Sequence, residues 1–430
     1  MSEKYEERSK KLEPKSIAIL GRQPALGIAE LESLYGADAL QPFGEQACLI
    51  DMDSESIDFD RLGGSVRIAK ILTALPSVNW SAIEKYLIET TPEHAKNIDG
   101  KLSFGISVFG IKINGHHLAK TALSVKKAIK NSGVSVRMVP QKDTELGSAT
   151  VLYNKLTHTN GWELLIVSDG KTAYLAQTTR IQDIDAYSAR DQARPHRDAK
   201  VGMLPPKLAQ IIINLAVGQI SHESRVTSHK KVEASSTLNP KPSTLILDPF
   251  CGTGVVLQEA MLMDYHVYGT DLEPRMVQYS IDNLAWLDTK YPHKGDYRRV
   301  EIGDAVKHKW IFSSIEHADP KIVVAGETYL GQPLSALPSN EHLSKIIYEV
   351  NLLHHKFLQN IAKQIPSGTR LCLAVPTWRG KHEFLHLPML DHLTDMGYTV
   401  LRFKHASKED LIYYREGQVV GRELLTIIKN

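Results

Sequence analysis

Leu245-Ile246-Leu247-Asp248-Pro249-Phe250-Cys251-Gly252-Thr253-Gly254 is the most informative run of this 430-residue chain. An apolar strand meets an acidic residue and a tight glycine turn, and a helical segment follows. In a dinucleotide-binding GxGxxG loop, a third glycine lets helix and strand pack closely while backbone amides meet a pyrophosphate. Here the third position is Leu257. A carboxylate at the strand end, Asp248, would repel pyrophosphate, whereas it could pair, directly or through water, with a ligand ammonium. Charge therefore favours a cationic ligand. About twenty residues on, where an acid meets ribose hydroxyls, the strand His266-Val267-Tyr268-Gly269-Thr270 ends at Asp271. A third strand, Arg299 to Ile302, ends in Gly303-Asp304-Ala305, whose carboxylate could accept an adenine amine. The plain alternative is a set of ordinary strand-to-helix turns, in which Asp and Gly serve as caps and left-handed residues. Three strand-end acids in order weigh against it.

Around this run, bulk properties set bounds. The length is too great for one ordinary core and predicts two or three domains. With 42% hydrophobic and 23% charged residues the composition is globular. Fifty-one Lys plus Arg against 49 Asp plus Glu leave +2, so any nucleic-acid surface must be a local patch. Cys48, Cys251 and Cys372 are odd in number and lack metal spacing, which argues against a disulfide framework and a zinc site and predicts a reducing compartment. No metal is expected. Met1 to Lys15 is charged, and the longest apolar stretch, near Leu208 to Val217, is shorter than a bilayer span. A soluble, cytoplasmic protein with no membrane partner is the expectation.

Toward the N-terminus, Ile17 to Leu20 reads as a strand and Pro24 to Leu34 as a helix stopped by Gly36. Phe104 to Phe109, Leu118 to Asn131 and Val134 to Val139 make a strand, helix, strand unit. Ser148 to Leu156 reads as a second helix, and Trp162 to Val167 with Lys171 to Gln177 as a hairpin around Asp169-Gly170. Asp183 to Pro206 is polar and rich in Arg, Asp and Pro, which suits a connector, so a domain boundary is placed there. Pro206 to Val217 is helical, and Ser221 to Ser243, with Lys230 and Lys231, reads as a flexible loop. Strands near 245, 267, 299, 322, 370 and 399 then alternate with helices. That alternation predicts an α/β domain with a doubly wound, mostly parallel sheet, whose ligands sit at the carboxyl ends of the strands. With the acid-and-glycine turn, it is how a Rossmann-like class I methyltransferase holds S-adenosylmethionine, here through Asp248, Gly252, Gly254, Asp271 and Asp304.

Several motifs occur in one order: Gly21-Arg22-Gln23-Pro24 with Ile28 to Glu32, Val151 to Leu156, Arg194-Pro195-His196-Arg197-Asp198, Val201 to Ala209, Asp248 to Gly254, and Gln418 to Glu423. Together they resemble the THUMP-domain tRNA guanine-N2 methyltransferases, in particular a bacterial branch. The resemblance implies an N-terminal ferredoxin-like domain over residues 1–80, a THUMP domain over 81–182 and a connector over 183–205. A methyltransferase domain then occupies 206–430. It implies that Phe250 joins the cofactor site and that Met203 to Pro206, with Met203 and Pro205, lie near the methionine end. It further implies tRNA as partner and a monomer that needs no accessory protein.

Families of this kind hold the substrate amine with an acidic or amide residue in a DPPY-like loop whose aromatic stacks on the base. Here the fourth strand runs into Gly326-Glu327-Thr328-Tyr329-Leu330-Gly331. Both prolines are absent, the acid position becomes Gly326, and Glu327 follows one place later. We assign Glu327 to orient the guanine amine and Tyr329 to stack on the base, against the alternative of a diverged turn with a surface Glu and a packed Tyr. Lys126, Lys127 and Lys130 with Arg137 and Lys142 could form a phosphate-binding patch, although such lysine runs are usually solvated faces. Arg194 and Arg197 could add RNA contacts, but Asp183, Asp185, Asp191 and Asp198 interleave with the connector's cations, so internal ion pairing is the leading reading there. Two further functions stay open: a catalytically silent tRNA-binding protein, and an amine methyltransferase acting on DNA.

Overall fold

The computed structural model describes residues 12–198, 203–219, 244–293, 295, 298–312, 320–334, 336–380 and 383–430. The stretch 221–243, read as a loop, lies outside the described residues, as do Lys200, Val201 and Gly202. The chain divides into two compact units, the first comprising residues 1–24, 35–60 and 65–184, the second 25–34, 61–64 and 185–430.

In the first unit one sheet holds β1 (Ser16–Leu20), β2 (Leu40–Phe43), β3 (Ala47–Ile50), β4 (Ser65–Ala74), β5 (Leu102–Phe109), β6 (Val136–Met138), β7 (Gly161–Ser168) and β8 (Ala173–Ile181). Their order is β2-β3-β1-β4-β8-β7-β5-β6. Only the β5 pairings with β6 and β7 are parallel among those in this sheet. Helices Trp80–Ala95 and Gly115–Asn131 start at Asn79 and Asn114, whose side chains accept the Ser81 and His117 amides. Each satisfies a backbone donor that the helix cannot. Their apolar stripes, Ile83 and Leu87 on one and Leu118, Val125 and Ile129 on the other, pack on Phe104 and Ile106 of β5. The strand, helix, strand unit and the hairpin read from the sequence are present. β2, β3, β4 and the helix Trp80–Ala95 escaped that reading: β2 and β3 have four residues each, and the helix is only weakly amphipathic.

The second unit carries β9 (Thr244–Asp248), β10 (His266–Asp271), β11 (Arg298–Ile302), β12 (Lys321–Glu327), β13 (Arg370–Arg379), β15 (Tyr398–Val400) and β17 (Val420–Lys429) in the order β11-β10-β9-β12-β13-β17-β15. Two short strands, β14 (Phe384–Leu385) and β16 (Ile412–Tyr413), pair with β13 and β17. β9 to β13 pair in parallel. The C-terminal half is antiparallel, because β17 inserts between β13 and β15. The sheet is therefore mixed where a mostly parallel one was expected. The chain winds from β9 outward to β11 and returns to β12 on the other side of β9, so the winding reverses between β9 and β12. That switch point is where open α/β sheets leave a crevice for ligands.

One further departure concerns the connector, where Ile184–Gln192 is a helix. Its cations find carboxylates: Arg194 Nη2 lies 3.3 Å from Asp191, a pair within the connector as expected, whereas Arg190 Nε lies 3.2 Å from Glu259, outside it. Among the described residues, no helix is long and apolar enough to cross a membrane.

Candidate functional site

At the switch point lies a cavity of about 560 Å³. The carboxyl ends of β9, β10 and β12 and the turn after β11 bring Asp248, Asp271, Glu327 and Asp304 to its wall. Phe250, Val255, Met276, Ala305 and Val306 supply apolar surface.

The glycine turn is built for this position. Gly254 has φ +82° and caps the helix Val255–Leu262, and an added Cβ there would press on Ser280 Oγ at 2.9 Å. Gly252, at φ +51°, faces open space, so a ligand can approach its backbone. The turn's own polar groups are largely held by side chains. Gly252 N–H donates to Asp271 Oδ2 at 2.9 Å, Ser280 Oγ donates to the Gly252 carbonyl at 2.8 Å, and Asn283 Nδ2 to the Thr253 carbonyl at 2.9 Å. Asn283 is fully buried and also bonds both backbone groups of His196, so Arg194 to Asp198 dock beside the turn. Ser280 and Asn283 carried no signal in the sequence, since each is an ordinary polar residue of the helix Pro274–Lys290 until the fold brings it under the turn.

Asp248 is 1% exposed and, among the described residues, accepts a hydrogen bond from Phe250 N–H at 3.1 Å. Burial pushes its carboxyl well above the ordinary value, and the charges of Asp271 and Glu327 push the same way. Burial also raises Asp271, against the opposing amides of Glu273 and Gly252. Asp248 and Asp271, with no cation in direct contact among the described residues, suit a ligand that brings positive charge. Asp304 accepts from Val306 N–H at 3.1 Å and lies 3.3 Å from Lys307. The donor set thus fits a nucleoside with a cationic tail: acids at the ribose and amine positions, an apolar slot between them, and a buried carboxylate at the strand end.

Glu327 closes β12, and Arg422 of β17 donates its Nε to Glu327 Oε1. Burial raises the Glu327 carboxyl and Arg422 opposes this. Arg422 was not singled out from the sequence, although Gln418 to Glu423 had been noted as a motif. Thr328 is buried, and its hydroxyl lies 2.6 Å from His354 Nε2. Tyr329 is 44% exposed on the cavity wall, so it is neither packed nor remote. Gly326 abuts Asp248, and a side chain built on it would overlap that carboxylate.

Some assignments need correction. Leu204, not Met203 or Pro205, reaches the cavity. Met203 instead accepts Arg197 Nη2 on its sulfur at 3.4 Å. Arg194 is 4% exposed and cannot serve as a surface RNA contact, because its guanidinium is turned inward on Asp191. Arg197 is partly exposed and lies 3.9 Å from Asp191. In the first unit Lys127, Lys130 and Arg137 are exposed and Lys126 is half-buried, with Arg137 bonded to Asn154.

Comparison with known proteins finds partial relatives in sequence and a solved structure of the same fold. The chain is 36% identical over 190 residues to a protein named tRNA (guanine(10)-N2)-dimethyltransferase from Methanothermobacter thermautotrophicus, covering 43% of each chain. A protein of the same name from Pyrococcus abyssi is 36% identical over 109 residues, covering 25% of this chain and 24% of the relative. The chain thus matches less than half the length of these relatives. The solved structure of TrmN from Thermus thermophilus matches 97% of this chain and 100% of its own, with a TM-score of 0.50 at 15% identity. No protein-family model matches.

Proposed function

We propose that this chain is an S-adenosylmethionine-dependent methyltransferase that modifies the exocyclic amine of a guanosine in tRNA. The observation that carries the proposal is the convergence of Asp248, Asp271 and Asp304 with Glu327 and Tyr329 on one cavity at the switch point. The names of the partial relatives support the substrate class. In this reading Asp248 faces the methionine ammonium, Asp271 the ribose, and Asp304 the adenine amine, while Phe250, Gly252 and Gly254 shape the slot. The cofactor, when bound, supplies an electrophilic methyl group on a sulfonium centre.

The remaining chemistry belongs to the chain. A guanine amine is a poor nucleophile because its lone pair is delocalised into the ring. Glu327 Oε2 accepts a hydrogen bond from the amine, turns its lone pair toward the methyl carbon, and takes the proton that nitrogen sheds. Tyr329 offers a flat, half-exposed face on which the base stacks, which prepays the loss of orientational freedom. In the first unit, residues 81–182 are proposed to be a THUMP domain that grips tRNA, with Lys126, Lys127, Lys130 and Arg137 on phosphates and residues 1–80 in support. The enzyme is proposed to act as a cytoplasmic monomer without an accessory protein.

Incubation with labelled S-adenosylmethionine and unmodified tRNA, followed by nucleoside digestion and mass spectrometry, is expected to yield guanosine methylated at N2. Glu327→Gln should abolish this and leave cofactor binding intact. Binding of tRNA without methyl transfer would replace the proposal with a silent binding protein, and methylated adenine or cytosine in DNA would replace the substrate.

A further inference from the structure

Glu327 was read from the sequence as a displaced substitute for an acid at position 326. The structure shows what holds it. Arg422 sits in β17 opposite Pro376 of β13 and Tyr413 of β16, and is 7% exposed. Successive β17 side chains leave opposite faces, so Arg422 turns toward the end of β12 while Glu423 is paired with Lys408 at 3.9 Å. Arg422 engages Glu327 Oε1, and among the described residues Oε2 has no other protein partner.

We propose that Arg422 is a positioning residue that fixes one oxygen of Glu327 so that the other is presented to the cavity as the acceptor for the substrate amine. The inference rests on the methyltransferase reading of the cavity. A Glu side chain is one methylene longer than Asp and rotates about one more bond. A guanidinium N–H held rigidly by the sheet restricts that freedom, and its charge favours the ionised carboxylate that burial disfavours. The groups facing Glu327 are few. Arg422 comes from β17 and Asp248 from β9, with Asp271, Glu273, Arg275 and Asp304 farther around the cavity wall. From the helix Asn340–Ala362, His354 reaches the neighbouring Thr328, and burial lowers it to about 4, so it is neutral near pH 7. Among the described residues, Arg422 is thus the cation in direct contact with Glu327.

The test is the pH profile of kcat/KM for tRNA in the full-length chain and in Arg422→Met, Arg422→Lys and Glu327→Gln/Arg422→Met, with cofactor binding followed by calorimetry as a check on the fold. Without the guanidinium, Glu327 binds its proton at higher pH, so the acidic limb of Arg422→Met is expected to move up. Its activity should fall about tenfold at pH 7 and recover toward pH 9. Arg422→Lys, which keeps the charge but not the planar Nε–H donor, should lie between, and the double variant should be no worse than Glu327→Gln. A uniform loss with an unmoved limb in both single variants would show Arg422 to be structural only and overturn the inference while leaving the methyltransferase reading standing. A wild-type chain that transfers no methyl to tRNA removes that reading and this inference with it.

Discussion

At residue 326 the chain departs most plainly from the DPPY pattern. Where that pattern carries an acid, Gly326 presents bare backbone against the Asp248 carboxylate. Two acids cannot share that space, and in the proposed mechanism the acceptor role passes to Glu327, which Arg422 holds. Gly326→Ala should therefore act through Asp248. Displacing a fully packed carboxylate costs about 1–3 kcal/mol, as overpacking of an interior does, and a cofactor that depends on Asp248 should bind correspondingly weaker. Thermal denaturation together with calorimetric titration of S-adenosylmethionine checks this. Unchanged affinity would mean that Asp248 does not meet the ligand.

Among the elements, the helix Asn340–Ala362 has a role that its amphipathic pattern hides. It buries Leu343, Val350, Phe357 and Leu358 against the sheet, and in the same stripe His354. His354 Nδ1 lies 2.8 Å from the Val350 carbonyl and Nε2 2.6 Å from Thr328, so the helix ties down the loop that carries Tyr329. Burial lowers the imidazole from 6.5 to about 4. In this window the unfolded chain binds the proton and the folded chain does not. Stability is thus fully present above pH 6.5 and is lost as pH falls toward 4, by on the order of 3 kcal/mol. Denaturant unfolding across this range should show the loss in the wild type and a flatter curve in His354→Leu. Because the leucine also leaves Thr328 without its imidazole, the variant should be less stable near neutrality by about 1 kcal/mol.

For the whole molecule, the balance of +2 requires any tRNA surface to be a local concentration of charge. The candidate is the helix Gly115–Asn131 in the first unit, where Lys127 and Lys130 are exposed and Lys126 partly so. Replacing all three by Ala should weaken tRNA binding and lower the slope of log K against log salt by roughly one per lost phosphate contact. Cofactor binding in the second unit should not change. An unaltered slope would reduce these lysines to a solvated face. The second unit is also less simple than its sequence. Residues 25–34 and 61–64 belong to it, and Glu30 is fully buried where it accepts the Gly63 and Gly64 amides at 2.9 and 2.8 Å and Asn214 Nδ2 at 2.8 Å. Burial pushes Glu30 up to about 7 against those three donors and Arg61. Segments far apart in sequence thus close one polar knot.

Local physics made half of this legible beforehand. Buried parallel strands are continuous apolar runs, glycine turns need left-handed backbone, and an acid stands at or just past the end of each of three successive strands, so β9, β10, β12 and Asp248, Asp271 and Asp304 could be read from the chain alone. The tertiary structure decided the rest, because those contacts join residues with no sequence relation. Ser280 and Asn283 hold the turn from a helix whose period is filled by other residues. Leu204 lines the cavity while the Met203 sulfur meets Arg197, a difference of one position that composition does not encode. Arg422 is paired with Glu327 because a guanidinium's partner depends on which strand lies beside it, and β17 returns from the far end of the chain.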